Sequence, residues 1–409
     1  MRLPVPAPPP HGPAAPGSMG DVRRSNLSLV LGAIAGAPRG AFPTRAQVSA
    51  ATGLTKASVS SMVMDLLDAG LVREVGLNAR GERGRPGVGL DLNTMRAVMG
   101  MEINVDYIAA GVMDLSGSVV FLEVRERDNR ESQPETVLEA LAVLAAKARS
   151  DAGERGVEIL GGGLAVPGLV GPGGAGILTA PNLGWTDVEL DLAALLPEVP
   201  LATALFNEAN AAALAELRHR PGNDADFLFV SGEVGVGGGL VLGGELFTGA
   251  AGHAGEVGHV VVDPGGKSCS CGGTGCLETV AGQDAIFAAA GVQSVGESRS
   301  AAMGRLVAAL AAGDARAISA VERAGTYLGV ALASAARVVD IGSVVLGGHF
   351  AVLDQWMHAP LLRSLSTYAP GKLAAEHVVT SAVGEEGALL GAAGSVLRSL
   401  VDAPHLLQR

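Results

Sequence analysis

Cysteine, aromatic residues and charge are all scarce in this chain of 409 residues, which holds 3 Cys, 2 Trp, 3 Tyr, 8 Phe and 17% charged residues. The cysteines, Cys269, Cys271 and Cys276, are too close together and too odd in number for a disulfide framework, and they suit a reducing cytoplasm. A long continuous apolar run is also missing. Residues 159–186 carry no charge, yet Gly161, Gly162, Gly163, Pro167, Gly168 and Pro172 punctuate them, so they read as buried strands and turns rather than a membrane span. Residues 1–18 hold seven prolines and no apolar stretch; they read as a disordered tail, not a signal peptide. What abounds is glycine, 59 residues, within a 48% hydrophobic composition, which describes a globular α/β protein with many tight turns. Single cores rarely exceed roughly 250 to 300 residues, so at least two domains are expected.

The net charge of −12 would count against nucleic-acid binding if it were evenly spread. It is not: residues 20–90 carry nine Lys or Arg against five Asp or Glu, a balance of +4 that leaves −16 for the rest. A small basic module on an acidic body favours a DNA-binding head. Within it, Leu27, Leu29, Val30, Leu31 and Ile34 have helical spacing, Thr44 caps a second helix ending at Gly53, and Thr55 caps a third over 56–69. The short turn at Gly53-Leu54 matches helix-turn-helix geometry. On the third helix Thr55, Lys56, Ser58, Ser60 and Ser61, with Arg45 on the second, are the candidate contacts to base edges and phosphates of double-stranded DNA. Segments 71–75 and 88–92 pair as a hairpin, and its tip carries Arg83 and Arg85 beside Arg80, suited to a narrow minor groove. The competing reading is a helical protein-interaction domain with a solvated charged loop.

Beyond Asn93, strand-like runs alternate with helical stretches, and the strand-turn-strand of 107–120 recurs loosely at 238–249. Such a duplication predicts two similar lobes around a cleft. Between them lie His259, Cys269, Cys271 and Cys276, spaced His-x9-Cys-x-Cys-x4-Cys, with Gly272, Gly273 and Gly275 letting the loop fold tightly. Three thiolates and an imidazole are the donor set of a closed structural zinc site, with no position left for a catalytic water.

The run Gly237-Gly-Gly-Leu-Val-Leu-Gly-Gly-Glu-Leu-Phe-Thr-Gly, then Gly255-Glu-Val-Gly-His259 and the cysteine loop ending Cys276-Leu-Glu278, resembles the ROK family of sugar kinases and repressors. Gly84-Arg85-Pro86 resembles the wing of its regulator branch. The resemblance implies an N-terminal winged helix-turn-helix followed by a two-lobed, actin-like (ribonuclease-H-like) sugar-kinase fold, α/β in class. The expected divisions are a tail at 1–19, the head at 20–93, lobes at 94–205 and 206–386, and a terminal helix at 387–409 packing back on the body. It further implies a monosaccharide held by Asn182, Asn207, Glu208, Glu256, His259 and Glu278, with His259 serving both metal and sugar. Asn207-Glu-Ala-Asn and Glu102-Ile-Asn-Val-Asp resemble the xylose-type repressors of the family.

Three departures from the kinase pattern predict a regulator that uses no ATP. Glu208 stands where family kinases have an aspartate base, and a displacement of about 1 Å there can cost about a hundredfold in rate. The first phosphate loop reads Glu102-Ile103-Asn104-Val105-Asp106 in place of a glycine-rich turn, and Glu233 sits in the second, Gly232 to Gly237. Gly347-Gly348, able to approach an adenine, remains. The expectation is a sugar-responsive repressor of carbohydrate-metabolism genes, a homodimer or homotetramer on its operator, with an ATP-dependent sugar kinase as the alternative.

Overall fold

The computed structural model describes residues 19–38, 40–78, 87–220, 226–292 and 298–407. Three helices, α1 (Met19–Ala35), α2 (Arg45–Thr52) and α3 (Lys56–Asp68), precede an antiparallel hairpin of β1 (Val72–Asn78) and β2 (Gly87–Leu92). Local chemistry sets their boundaries. Thr44 and Gln47 form a reciprocal capping box at the start of α2, and Gly53, at φ 71°, closes its end. Leu27, Val30, Leu31 and Ile34 of α1 share a core with Val59, Met62, Val63 and Leu66 of α3. The first helix begins seven residues before Asn26: its opening turns are exposed and carry no apolar period, and an Arg23–Asp65 ion pair ties them to α3. The wing arginines Arg80, Arg83 and Arg85, like residues 1–18, lie outside the described residues.

The first lobe holds β3 (Arg96–Ile103), β4 (Tyr107–Asp114), β5 (Val119–Glu126), α4 (Pro134–Glu154) and β6 (Glu158–Val166). Next come the short strands β7 (Leu169–Val170), β8 (Ile177–Ala180) and β9 (Trp185–Val188), then β10 (Ala204–Asn207) and α5 (Glu208–His219). The second lobe comprises β11 (Phe227–Gly232), β12 (Val236–Leu242), β13 (Glu245–Leu246), α6 (Glu278–Ala281), α7 (Gln283–Ala290), α8 (Arg299–Ala311), α9 (Ala315–Val339), β14 (Ser343–Gly347), α10 (Gly348–Tyr368) and β15 (Val378–Thr380). The chain closes with α11 (Gly387–Asp402).

The duplication expected from the repeated strand-turn-strand is complete at the level of topology. One sheet runs β10-β6-β3-β4-β5 and the other β13-β12-β11-β14-β15, so each is an antiparallel three-strand meander extended by two parallel strands on the far side of its first strand. Alternation along each strand decides what it packs against. On β11, Leu228 and Val230 join the core of α9 and α10, whereas Phe227 and Phe229 face α5 and α11 with Val345 of β14. The first sheet likewise turns Met99, Met101 and Ile103 toward α4. Helices α5 and α11 are therefore the shared layer between the lobes. They approach so closely that a Cβ at Gly391 would lie 1.7 Å from the Ala211 carbonyl oxygen.

The terminal helix does more than pack back on the body. Its Val396, Leu397, Leu400 and Val401 belong to the same core as α1 and α3, while its first turn lines the cleft between the lobes. Head, lobe interface and cleft are thus joined by one continuous helix. No helix among the described residues is long and apolar enough to cross a membrane.

Candidate metal centre and cleft

The four ligands expected from spacing alone converge. One ligand atom each from His259, Cys269, Cys271 and Cys276 lies within 4.8 Å of the others, with Cys271 Sγ 3.7 Å from Cys276 Sγ and Cys269 Sγ 3.6 Å from His259 Nδ1. Zinc bonds of about 2.3 Å to sulfur span a tetrahedral edge of about 3.8 Å between two thiolates and a little less between a thiolate and an imidazole, so the cluster fits a zinc ion and is far too open for a disulfide. Backbone pairing builds it: bridges join Val261 to Cys276 and Ser268 to Thr274, and Gly273 returns its carbonyl to the Cys269 N–H at 2.8 Å. Gly275, at φ 76°, is needed because a Cβ there would meet the Asp263 carbonyl oxygen at 1.8 Å. Burial and the neighbouring thiols push Cys276 up to about 12, while the Gly273 N–H lowers Cys271.

The imidazole of His259 turns its other nitrogen away from the sulfurs. Its Nε2 lies 3.7 Å from Glu256 Oε2. Glu256 is held up by burial, with His259 and His253 opposing the shift and Glu278 adding to it. Glu278, the first residue of α6, accepts the Val236 N–H on Oε2 at 3.1 Å and places Oε1 3.9 Å from Cys269 Sγ. Asn182, on the turn between β8 and β9, arrives from the first lobe: a Cβ at Gly235 would lie 2.0 Å from Glu278 Oε2 and 3.6 Å from Asn182 Nδ2. Trp185 anchors that turn through an Nε1–H bond to the Ser132 carbonyl at 2.7 Å. Asn182, Glu256, His259 and Glu278 therefore form one polar group beside the metal loop.

The remaining two residues expected at the sugar site are placed otherwise. Asn207 caps α5, accepting the Asn210 N–H at 2.9 Å and donating to the Gly168 carbonyl at 2.8 Å, which leaves its amide a second N–H and a second lone pair. Glu208 faces Glu102 and Glu233 on the other side of the turn that joins β11 to β12.

Glu102, Glu208 and Glu233 line a cleft cavity of about 850 Å³. The two loops that would cradle phosphates meet directly instead, since Asn104 donates to Glu233 across the cleft. Asp106 also bridges the lobes, pairing with Arg130 of the first and with Arg299 at 3.0 Å from the second. Gly348, at φ 54°, lets α10 start against the Gly232 carbonyl, so Gly347-Gly348 serves the turn itself. Burial and Glu233 push Glu102 up to about 8, and burial with the other two carboxylates holds Glu208 well above the usual range. Burial likewise raises Glu233.

A carboxyl raised in the folded chain holds its proton where the unfolded chain has lost it. Stability from Glu102 is thus full below about 4.5 and falls as pH rises through about 8. Chemical denaturation between pH 5 and 9 should show this decline, and Glu102→Gln, which cannot ionise, should make it shallower, with Glu208 and Glu233 supplying the remainder; a variant with an unchanged profile would exclude Glu102 as a source.

On the head, Thr55 caps α3 by accepting the Ser58 N–H at 3.1 Å, with the two hydroxyls 2.9 Å apart, and Arg45 pairs with Glu74 at 2.8 Å. Lys56, Ser60 and Ser61 are exposed.

A two-lobed, actin-like sugar-kinase fold carrying an N-terminal three-helix head with a hairpin wing, and a Cys₃His loop at its cleft, defines the class. The chain belongs to the ROK family, whose model matches residues 98–398. It is 35% identical over 246 residues to the xylose repressor of Caldicellulosiruptor bescii, covering 60% of this chain and 61% of that one. It is 32% identical over 295 residues to the N-acetylmannosamine kinase of Escherichia fergusonii, covering 70% of this chain and 96% of the kinase. Among solved structures, a ROK family transcriptional regulator described as a homolog of the Escherichia coli MLC protein matches with a TM-score of 0.74 and 25% identity, covering 94% of this chain and 98% of that one.

Proposed function

We propose that this protein is a sugar-responsive, DNA-binding transcription repressor of carbohydrate-metabolism genes, acting in the cytoplasm as a homodimer or homotetramer and using zinc but no ATP. The effector is a monosaccharide seated against Asn182, Glu256, His259 and Glu278, whose carboxylates and amide suit neighbouring hydroxyls. Zinc held by His259 Nδ1 and the three cysteines fixes the imidazole tautomer, leaving Nε2–H as a donor to the sugar. Glu208, turned toward two other carboxylates, is a vestigial base and not a catalytic one.

The observation that carries this reading is α11, which packs against α5 in the layer between the lobes and completes the head's core with its last two turns. Sugar alters DNA affinity only if it favours one arrangement of lobes and heads, and a helix built into both supplies the mechanical link. The candidate DNA contacts are Lys56, Ser60 and Ser61, with Thr55, Ser58 and Arg45 as presenters of that surface, and Arg83 and Arg85, which lie outside the described residues, as candidates from the sequence alone. Lys56→Ala should weaken binding to every duplex about equally and reduce the slope of log K against log salt by about 1, as for one lost phosphate contact. Fluorescence anisotropy at several salt concentrations reads this; an unchanged slope would remove Lys56 from the interface. The kinase relative favours a second reading, sugar phosphorylation, which an ATP-turnover assay with a panel of sugars tests directly.

A further inference from the structure

The cavity between the lobes is as large as a small-molecule pocket, about 850 Å³ against a usual range of about 300–1,000 Å³. Its wall carries eight carboxylates against three guanidiniums. Those guanidiniums are engaged: Arg130 pairs with Asp106 and Asp128, Arg299 with Asp106 and Asp284, and Arg127 donates to Asn129 at 2.8 Å. Phosphate would meet eight carboxyl groups and no unengaged guanidinium on this wall. Two buried polar atoms of residues that line the cavity, moreover, have no hydrogen-bond partner. Glu208 Oε2 is shut from solvent and has no hydrogen-bond partner. His349, 4% exposed, spends its Nε2–H on the Ala281 carbonyl at 2.9 Å, which leaves Nδ1 a bare, buried lone pair. Buried acceptors without donors are costly, and a ligand rich in N–H groups relieves that cost.

The form of the cation follows from two further facts. Carboxylates come from separate elements, β3, α5, the turn between β11 and β12, and the start of α11, and are spread along the cavity. Among the described residues the Cys₃His loop is the one cluster tight enough for a metal ion, so the acidic wall is too open for a compact divalent site. The exposed rim of the lining, in contrast, is aliphatic: Leu122 and Val124 of β5 and Val352 of α10 are 40%, 51% and 45% exposed, and Met303 of α8 lines the same cavity. Methylene chains suit that rim, and ammonium groups suit the acidic interior.

We propose that this half of the cleft binds an aliphatic polyamine, with one ammonium between Glu208 and Glu233 and its methylene chain along Leu122 and Val124. The proposal rests on the reading that no nucleotide occupies this half. The bound amine takes the place of the bridging charge that a metal–nucleotide complex supplies in a kinase, and holds Glu233 of one lobe to Glu102 of the other. Because burial raises these carboxyls, an ammonium seated beside them favours their ionisation and releases protons to the buffer.

Isothermal titration calorimetry on the full zinc-loaded chain tests this with spermidine, putrescine, magnesium chloride and ATP as separate titrants. Spermidine should bind once per chain, with an enthalpy that changes with the ionisation heat of the buffer. Glu233→Gln should weaken it roughly tenfold or more, as for a lost charged hydrogen bond, while thermal stabilisation by the effector sugar persists. Absence of polyamine binding, equal binding by Glu233→Gln, or a magnesium response with the same dependence on Glu233 would each overturn the proposal. ATP binding that excludes spermidine would overturn the nucleotide-free reading beneath it, a result distinct from silence with every titrant, which sinks the polyamine alone.

Discussion

Cys276→Ser will leave the protein without zinc, taking metal content from one ion per chain to none, and will lower the melting temperature by on the order of 10 °C. The serine keeps the buried shape at this position but not the thiolate. Structural zinc contributes about 10–16 kcal/mol in isolated finger peptides, where the whole fold depends on it. Here the lobes have their own cores, so roughly a third of that is at stake, and about 2–4 °C per kcal/mol gives the expected shift. Metal analysis with thermal denaturation decides it. Full zinc content in the serine variant, or an unshifted melting point in chelated wild type, would show that the loop stands without metal.

Glu278→Gln will separate metal from effector. Its carboxylate reaches the Val236 N–H on one oxygen and the cysteine loop with the other, beside Asn182 and near Glu256. A charged hydrogen bond to a sugar hydroxyl contributes about 1.5–3 kcal/mol, so the amide should raise the sugar dissociation constant by roughly 10- to 100-fold. Zinc content should stay at one per chain, because the four ligands are untouched. Sugar-induced thermal shift together with metal analysis reads both; undiminished sugar binding would place the effector elsewhere.

Much of this arrangement was legible from local signals. Thr44 and Gly53 bracket α2 by their own chemistry, and the glycine-spaced cysteines announced a loop whose ligands converge. The repeated strand-turn-strand foretold the duplicated sheets because topology repeats even where side chains do not. Long-range partnerships left no such trace. Asp106 and Arg299 stand 193 residues apart, and nothing about either predicts the other. Helix α10 went unread because Pro360 interrupts an otherwise helical spacing of Phe350, Leu353, Met357, Leu361 and Leu365. Thr55 caps α3 as its spacing foretold, whereas the capping role of Asn207 at α5 was not legible, since capping and binding use the same polar atoms. The double duty of α11 was hidden for a related reason: Gly387, Ala388, Gly391 and Ala392 look like filler until a second helix is laid against them.

Equilibrium binding of a duplex, selected by the protein from a random pool, tests the central claim most directly when measured by fluorescence anisotropy with and without a panel of pentoses and hexoses. At least one sugar should change the DNA dissociation constant by about 5- to 150-fold, the usual span of allosteric coupling, and ATP should neither alter that response nor be consumed. DNA affinity indifferent to every sugar, or turnover of ATP onto a sugar at the roughly 1–100 per second of ordinary kinases, would contradict it.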